Sequence, residues 1–477
     1  MRKYLPLKNK HMKKLTIILL TALIALTAFG QDITGKWNGM LKVQGTQLRL
    51  VFNISQAGNA YNATMDSPDQ GAFGIPVTSV SYENSILKLE ILTAGIRYKG
   101  TLDKDSVFVG AFKQRGQSFP LNLTKSKVEK EIINRPQEPT KPYPYYSEDV
   151  KFENTKDKIV LAGTLTLPKK DGNFPAVVLI SGSGPQNRDE ELLGHKPFLV
   201  LADYLTKNGI AVLRFDDRGT AESTGNYKTA TSKGFAGDVE SAIKYLKSRK
   251  EINKNKIGLI GHSEGGIIAP MVAAGSKDIS FIVLLAGTGI RGDKLLLLQQ
   301  GLIGKASGVS DPDLQKAKII NKGAFDLVLK YDDLDTLGIK LTKYLKQALK
   351  DNPESEKPEG MSEDNYIKLQ VNQLISPWMY YFIRYNPAPT LQKVKCPVLA
   401  INGSKDLQVP AKVNLKAIKE ALEIGGNKKV TTKELPGLNH LFQECKTGLP
   451  TEYAAIEQTF SPIALTEILN WILKQVK

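Results

Sequence analysis

The chain has 477 residues, of which 41% are hydrophobic and 24% charged. This length allows two or three domains with separate cores, and the composition excludes both a minimal disulfide-stapled protein and a largely disordered one. The formal net charge of +17 includes six cations and no acid in the first 30 residues, and beyond them lysine and glutamate are mixed. We therefore expect a mildly cationic surface and no nucleic-acid partner.

Residues 1–30 have the pattern of a cleavable signal peptide. Two lysines precede an apolar run at 15–28, and Ala28 and Gly30 place small residues before a cut that we expect after Gly30. The run is shorter than the ~20 residues that a membrane span needs. Met12 is an alternative start with a complete charged leader. The sequence predicts a secreted or periplasmic protein with no stable membrane insertion after cleavage.

The chain has two cysteines, Cys396 and Cys445. One disulfide is the alternative in an oxidising compartment, but Cys396 opens a predicted strand whereas Cys445 lies in a loop beyond the opposite end of the predicted sheet. We expect two separate buried thiols. Neither has a His or Cys neighbour at metal-ligand spacing, so we expect no metal site.

Residues 31–127 have the period-two pattern of short β-strands. Apolar and polar residues alternate at 48–54 and 87–91, and Gly, Asn and Asp turns separate the runs. This pattern predicts an antiparallel barrel or sandwich. The segment contains no His and no Cys, so we expect the chemistry to lie elsewhere.

Residues 128–149 are predicted to be a linker, because prolines stand at positions 136, 139, 142 and 144. Proline cannot donate to a sheet ladder or continue a helix interior. The segment therefore predicts a semi-rigid extended connection and a domain boundary.

Residues 150–477 alternate between strand and helix patterns. The predicted strands are 159–167, 176–180, 211–215, 257–260, 281–286, 398–401 and 430–435. Helix-period stretches include 197–207, 235–247 and 411–424. This alternation predicts an α/β domain with a mostly parallel sheet covered on both faces, where ligands bind at the carboxyl ends of the strands.

A nucleophile elbow is predicted at Gly261-x-Ser263-x-Gly265. An aliphatic strand precedes it and a small-residue helix follows from about Gly266. Small residues on both sides of a serine allow a tight turn that lifts the hydroxyl above the sheet. The same turn aims the Glu264 N–H at the place where an oxyanion would form.

The serine needs a base, and histidine is the usual one at neutral pH. Of the four histidines, His11 belongs to the predicted leader and His262 adjoins the nucleophile with its side chain directed elsewhere, which leaves His195 and His440. Because the chain order around such an elbow is serine, acid, histidine, we favour His440. Asp406, in the turn after strand 398–401, is the predicted orienting acid.

The loop at 181–189 follows the strand 176–180 and is rich in glycine. We expect the Ser183 N–H to be the second oxyanion donor, with the Gly184 N–H as the alternative. The loop lacks the pattern of a phosphate-binding loop. Charged residues at these strand ends are expected mainly to brace the loops, and they are Arg188, Asp189, Asp217 and Arg218.

A helical insertion at about 288–391 interrupts the sheet pattern. Its helix-period stretches are 294–301, 313–331, 339–349 and 365–385. An insertion at this point would cap the nucleophile as a lid that sets substrate access. The aromatic run at 377–383 either lines an acyl pocket or anchors the lid.

Six segments together resemble bacterial α/β-hydrolase carboxylesterases related to the serine-aminopeptidase-like hydrolases. They are 161–168, 181–185, 217–219, 261–265, 402–406 and 439–442. The resemblance implies an eight-stranded sheet with Ser263 as nucleophile, Asp406 as acid and His440 as base. The oxyanion loop departs from the His-Gly-Gly form of many lipases. Residues 31–127 loosely resemble lipocalin-like accessory domains.

These observations predict a secreted serine hydrolase that cleaves carboxylic esters through an acyl-enzyme, without a metal or organic cofactor. The expected partner is a small-molecule ester with a short acyl or a carbohydrate-linked group. A serine peptidase of aminopeptidase or acyl-peptidase type is the first alternative. A ligand-binding protein with a degenerate hydrolase domain is the second.

Overall fold

The computed structural model describes residues 32–477 except 44–45, 59, 71, 115–116, 131–133 and 353–361. The predicted signal peptide at 1–30 lies outside the described residues. Within the described ranges, no helix is both long and apolar enough to cross a membrane.

The N-terminal part forms two antiparallel sheets, as the period-two pattern predicts. The strands are Gly35–Val43 (β1), Thr46–Ala57 (β2), Ala60–Ser67 (β3), Ala72–Pro76 (β4), Ser79–Glu83 (β5), Ile86–Ile91 (β6), Ile96–Leu102 (β7), Phe108–Gln114 (β8) and Gln117–Pro120 (β9). Their orders are β1-β2-β3-β4 and β5-β6-β7-β8-β9. Alternate side chains point into one shared core that includes Trp37, Phe52 and Tyr98.

Backbone hydrogen bonds join the two sheets at both ends. At one end, the Val77 N–H donates to the Ala63 carbonyl on β3 at 3.0 Å and the Thr78 N–H donates to the Glu90 carbonyl on β6 at 2.6 Å. At the other end, Thr124 pairs with Asn38 on β1. Leu123 pairs with Phe108 on β8, so the segment after β9 connects both sheets. The result is a partly closed barrel.

The proline-containing segment is anchored on the C-terminal part of the chain. The Arg135 side chain, only 9% exposed, donates to the carbonyls of Gly194, Ala454 and Ile456. The Gln137 side chain donates to the Phe460 carbonyl at 2.7 Å. These contacts fix the path of the predicted linker against the next part of the chain.

The central sheet has eight strands. They are Tyr146–Asn154 (β10), Ile159–Leu167 (β11), Phe174–Ile180 (β12), Ala211–Phe215 (β13), Ile252–His262 (β14), Phe281–Leu285 (β15), Val398–Gly403 (β16) and Val430–Leu435 (β17). The order is β10-β11-β13-β12-β14-β15-β16-β17. The β10-β11 and β11-β13 pairs are antiparallel and the remaining pairs are parallel. The mostly parallel α/β-hydrolase sheet is therefore confirmed.

Helices cover both faces of this sheet and form the insertion. They are Pro197–Lys207 (α1), Ser232–Ser248 (α2), Gly265–Gly275 (α3), Gly292–Ala306 (α4), Asp311–Lys330 (α5), Leu334–Asp351 (α6), Glu363–Leu374 (α7), Pro377–Arg384 (α8), Ala388–Leu391 (α9), Ala411–Ile424 (α10) and Pro462–Gln475 (α11). One buried core joins the sheet to α2, α3 and α10. The opposite core joins it to α1 and α11. Short 3-10 helices occur at Pro68–Gln70, Leu92–Ala94, Tyr227–Thr229 and Pro450–Ala455.

The insertion between β15 and β16 has its own apolar core. Phe325, Leu341 and Ile383 are among its buried residues, contributed by α5, α6 and α8. The single helix-period stretch predicted at 365–385 is two helices, because the residue before a proline disfavours the helical conformation and Pro377 lacks an N–H. Ser376 then caps α8 by accepting the Met379 N–H.

Two other details differ from or extend the sequence predictions. Strand β10 begins at Tyr146, inside the range predicted as linker. It is an edge strand in which polar side chains alternate with apolar ones, so its apolar pattern is weak in the sequence. Cys396 and Cys445 are both free thiols, as the preferred prediction has it, but they are half-buried and not fully buried as predicted. Their partial burial raises the pKa of each to about 11.

Candidate active site

Ser263 stands in a strained turn between β14 and α3. Its φ is +52°, in the left-handed region that non-glycine residues rarely adopt. A Cβ atom added at Gly261 would overlap the Gly265 carbonyl, and one added at Gly265 would overlap the Ile180 carbonyl. The turn therefore requires glycine at both positions, and the predicted elbow geometry is present.

Asp406 and His440 are joined by a hydrogen bond although they follow different strands. His440 Nδ1 lies 2.8 Å from Asp406 Oδ2, and both side chains are buried. The second carboxylate oxygen of Asp406 accepts the N–H groups of Gln408 and Val409, each at 2.8 Å. The structure thus brings the predicted acid and base together and fixes the carboxylate plane.

The turn that carries His440 is held by its neighbour Asn439. The Asn439 side-chain oxygen accepts the N–H groups of Leu441 and Gln443, each at 3.0 Å. Side-chain caps of this kind fix a turn without regular secondary structure. The imidazole is therefore presented by a rigid loop after β17.

His195, the other candidate for the base, is part of the buried interior of the fold. It is fully buried, and its ring nitrogens lie 3.0 Å from Thr459 Oγ1 and 2.9 Å from the Tyr453 carbonyl. Burial lowers its pKa to about 4. Both ring nitrogens are thus engaged away from Ser263, which agrees with the preference for His440.

The glycine-rich loop after β12 lies against Ser263. The Gly182 N–H donates to Glu190 Oε1 at 2.6 Å, and the Gly184 N–H donates to the Tyr227 hydroxyl at 2.9 Å. Among the hydrogen bonds of the described residues, none uses the Ser183 N–H. The alternative donor at Gly184 is therefore occupied, whereas the preferred one at Ser183 is available.

Glu264 has two distinct environments for its backbone and its side chain. Its N–H, next to the nucleophile, forms none of the hydrogen bonds found among described residues. Its buried carboxylate accepts the Ser232 hydroxyl at 2.6 Å and the Trp378 indole N–H at 2.8 Å. Burial raises the pKa of this carboxyl, and the two donors oppose that rise. Trp378 thereby connects the lid to the elbow.

A small cavity opens beside Ser263 beneath the lid. About 70 Å³ is open to water-sized molecules, and the lining includes Ser183, Leu295, Trp378 and Phe382. The aromatic run of the lid thus both lines this cavity and contacts the body. A larger cavity of about 870 Å³ lies between α6 and α7 and contains none of the predicted catalytic residues.

The four charged strand-end residues brace the loops, as expected. Arg188 pairs with Asp216 at 2.7 Å, Arg218 pairs with Asp238 at 2.7 Å, and Asp189 pairs with Arg214. Asp217 accepts the Ser181 hydroxyl at 2.8 Å and the Gln186 N–H at 3.0 Å. Burial raises the pKa of Asp217 to about 8.

Glu190 and the side chain of His262 are the site residues that the sequence analysis did not assign. His262 Nδ1 lies 2.9 Å from Glu190 Oε1, and His262 Nε2 lies 3.0 Å from the His440 carbonyl. An acidic residue just after the glycine-rich loop and a histidine just before the serine were visible signals. Their pairing across 72 residues of chain was not. In the part of the chain that is described, no three His, Cys, Asp or Glu side chains are grouped to hold a metal ion.

Three comparisons relate the chain to known proteins. Esterase EstD of Thermotoga maritima is 28% identical over 94% of both chains. The Pyrococcus furiosus esterase PF2001 superimposes with a TM-score of 0.43 at 17% identity, covering 73% of this chain and 100% of that one. The family model of X-Pro dipeptidyl-peptidases (S15 family) matches residues 157–421, which is more than half of the chain. The chain therefore belongs to the S15 family, named for X-Pro dipeptidyl-peptidases, and has the α/β-hydrolase fold.

Proposed function

We propose that the protein is a serine hydrolase that cleaves carboxylic esters through an acyl-enzyme. The observation that carries this proposal is the His440–Asp406 hydrogen bond at 2.8 Å, in a site where Ser263 occupies a strained elbow. An imidazole oriented by a carboxylate is the usual activator of a serine hydroxyl.

In the proposed reaction, Ser263 Oγ attacks the ester carbonyl while His440 Nε2 takes the hydroxyl proton. The tetrahedral oxyanion accepts the Glu264 and Ser183 N–H groups. Collapse breaks the bond to the alcohol, which leaves with the proton from His440. Water then attacks the acyl-enzyme with His440 again as base, and the acid is released with Ser263 restored.

The relative that aligns over 94% of both chains is named an esterase. This name supports ester substrates for the protein described here. The cavity beside Ser263 has room for about 70 Å³, the volume of a few water molecules. We therefore propose short acyl groups, such as acetate or butyrate, including those carried on carbohydrates.

Peptide hydrolysis is the second candidate, because the matching family model is named for X-Pro dipeptidyl-peptidases. The same acyl-enzyme chemistry serves both bonds, and the leaving group is an amine instead of an alcohol. The choice between them depends on the cavity and on the lid above it.

Rates on two substrate sets separate the candidates. Nitrophenyl esters of increasing acyl length are compared with Xaa-Pro nitroanilides, using the wild type, Ser263→Ala and Ser248→Ala. We expect kcat/KM to be highest for nitrophenyl acetate or butyrate, and Ser263→Ala to lose at least ~10⁴-fold. Ser248 is an exposed serine at the end of α2, so its alanine variant should match the wild type. Faster hydrolysis of the nitroanilides would favour the peptidase instead.

The proposed location is secreted or periplasmic, as the pattern of residues 1–30 predicts. Expression of the full chain with its leader in a bacterial host tests this. The mature protein from the periplasm or medium should begin at Gln31, and a full-length chain retained in the cytoplasm would contradict it.

A further inference from the structure

A second histidine–carboxylate pair, Glu190 and His262, lies directly behind the proposed catalytic pair and takes part in none of the steps above. Glu190 and His262 are 4% and 6% exposed as residues. Glu190 Oε1 lies 2.9 Å from His262 Nδ1 and accepts the Gly182 N–H at 2.6 Å. The other ring nitrogen of His262 lies 3.0 Å from the His440 carbonyl oxygen. The pair therefore links three segments of the site, which are the loop after β12, the end of β14 and the loop after β17.

The partners of His262 favour a doubly protonated ring. A carboxyl oxygen that accepts the Gly182 N–H faces Nδ1, and a carbonyl oxygen faces Nε2. An ionised carboxylate and a carbonyl can only accept, so opposite an ionised Glu190 both contacts are hydrogen bonds only when the ring is an imidazolium. The Glu190 carboxylate supplies the balancing charge, which a buried cation requires.

Other ionisable groups surround the pair on neighbouring loops. The His440 ring lies 4.8 Å from the His262 ring between centroids, and Asp406 lies beyond His440. Asp217 interacts electrostatically with Glu190 from the loop after β13. Burial opposes the charged form of His262, but Glu190, the His440 carbonyl and Asp406 outweigh it and raise its pKa.

We propose that the Glu190–His262 ion pair is a positioning device for the hydrolysis proposed above. Through Gly182 it holds the peptide that precedes the Ser183 oxyanion donor. Through the His440 carbonyl it holds the backbone of the base, and His262 itself precedes the nucleophile. The two side chains thus fix the positions of the loop after β12, the end of β14 and the loop after β17 relative to one another. This inference rests on the proposed function.

The expected effect follows from the sensitivity of acyl transfer to geometry. A displacement of about 1 Å between reacting groups can reduce the rate by ~10²-fold. Loss of the pair should therefore reduce kcat and leave KM little changed, because neither side chain lines the cavity beside Ser263.

The direct test is the ¹⁵N NMR spectrum of the histidine rings in the wild-type protein near neutral pH. The His262 signals are assigned by their absence in His262→Gln. We expect both ring nitrogens of His262 to carry protons, each split by its attached hydrogen. One unprotonated nitrogen would overturn the ion pair. This readout needs no substrate, so it stands apart from any failure of the proposed esterase activity.

The kinetic test uses Glu190→Gln, His262→Gln and the double variant. We expect each single change to lower kcat about 10- to 100-fold with KM within about threefold, and the double variant to lose no more than the worse single one. His262→Gln leaves the Glu190 carboxylate without its cation near His440, which favours the His440 imidazolium. The acidic limb of the pH profile should therefore move to higher pH in His262→Gln and stay in place in Glu190→Gln.

Glu251→Gln is the matched control. Glu251 is also a buried carboxylate, 8% exposed and paired with Arg249, but it precedes the first residue of β14 whereas His262 is the last. It should retain wild-type kcat and the wild-type pH profile. Unchanged kcat in both pair variants, or additive losses in the double variant, would overturn the proposal. If the variants do not fold, the wild-type NMR spectrum decides, with the His262 ring signals assigned by through-bond correlation to the backbone.

Discussion

Asp406 holds His440 by one carboxylate oxygen at 2.8 Å, while its other oxygen is held by two backbone N–H groups at the same distance. The carboxylate has no freedom to rotate away from the imidazole. Because Nδ1 is engaged in this way, Nε2 is the ring nitrogen left for the proposed proton transfer with Ser263.

Replacement of Asp406 by asparagine should lower kcat on nitrophenyl acetate by about 10⁴-fold, because an amide favours the wrong imidazole tautomer. The loss should appear without a change in the far-ultraviolet circular dichroism spectrum. Asp278→Asn is the control, since Asp278 is an exposed acid that pairs with Lys247. A loss of less than about tenfold in Asp406→Asn would contradict the role of Asp406.

Alanine at Gly265 should destabilise the protein by more than about 3 kcal/mol, because the added Cβ overlaps the Ile180 carbonyl. Gly275, at the other end of the same helix, has no atom within 4 Å of an added Cβ. Gly275→Ala should therefore leave stability unchanged or raise it by up to about 1 kcal/mol. Urea unfolding measures both variants, and equal stability of the two would show that the elbow is not tightly packed.

Truncation of Phe382 should broaden the acyl preference. Phe382 lines the cavity beside Ser263, so alanine enlarges the space for the acyl chain. We expect the ratio of kcat/KM for nitrophenyl octanoate to that for nitrophenyl acetate to rise at least ~10-fold, since each added methylene gains about 0.8 kcal/mol on burial. Phe325→Ala, in the separate core of the lid, controls for general loosening of the lid. A similar rise in both variants would count against an acyl pocket at Phe382.

Asp217 should make stability fall with rising pH. Burial raises its folded-state pKa to about 8, above the ordinary aspartate pKa of 3.8, so the folded state binds more protons between these values. The contribution of protonated Asp217 to the free energy of unfolding is fully present below pH 3.8, and it is lost as pH rises through about 8. The slope from this group is at most about 1.4 kcal/mol per pH unit.

Asp217→Asn should remove this slope, because asparagine stays neutral and can bond both Ser181 and the Gln186 N–H. Urea unfolding measured from acidic to alkaline pH should show that the free energy of unfolding of the variant rises relative to that of the wild type as pH rises. Asp278→Asn should follow the wild-type curve. Parallel curves for Asp217→Asn and the wild type would mean that Asp217 is ionised in the folded state.

Much of the sheet could be predicted because buried strands leave a local signal. The predicted strands 159–167, 211–215 and 430–435 coincide with β11, β13 and β17. Helices α1 and α10 also have the predicted bounds. In each case polar or turn-forming residues flank an apolar pattern of one clear period.

The remaining features depend on contacts between distant parts of the chain. Strand β10 was hidden because its alternating acids and lysine lie at the sheet edge, next to a proline-rich segment. The Glu190–His262 pair and the Trp378–Glu264 hydrogen bond join loops that meet only after the sheet has formed. Single residues in these loops carry no periodicity, so their partners could not be predicted from the sequence.

The most direct measurement is the site of modification by a fluorophosphonate, located by mass spectrometry of the digested protein. This reagent forms a covalent adduct with a serine that is activated as a nucleophile. We predict one adduct on Ser263 in the wild type, with loss of ester hydrolysis, and no adduct in Ser263→Ala. Labelling at another residue, or no labelling of a wild-type protein that hydrolyses esters, would contradict the assignment of Ser263.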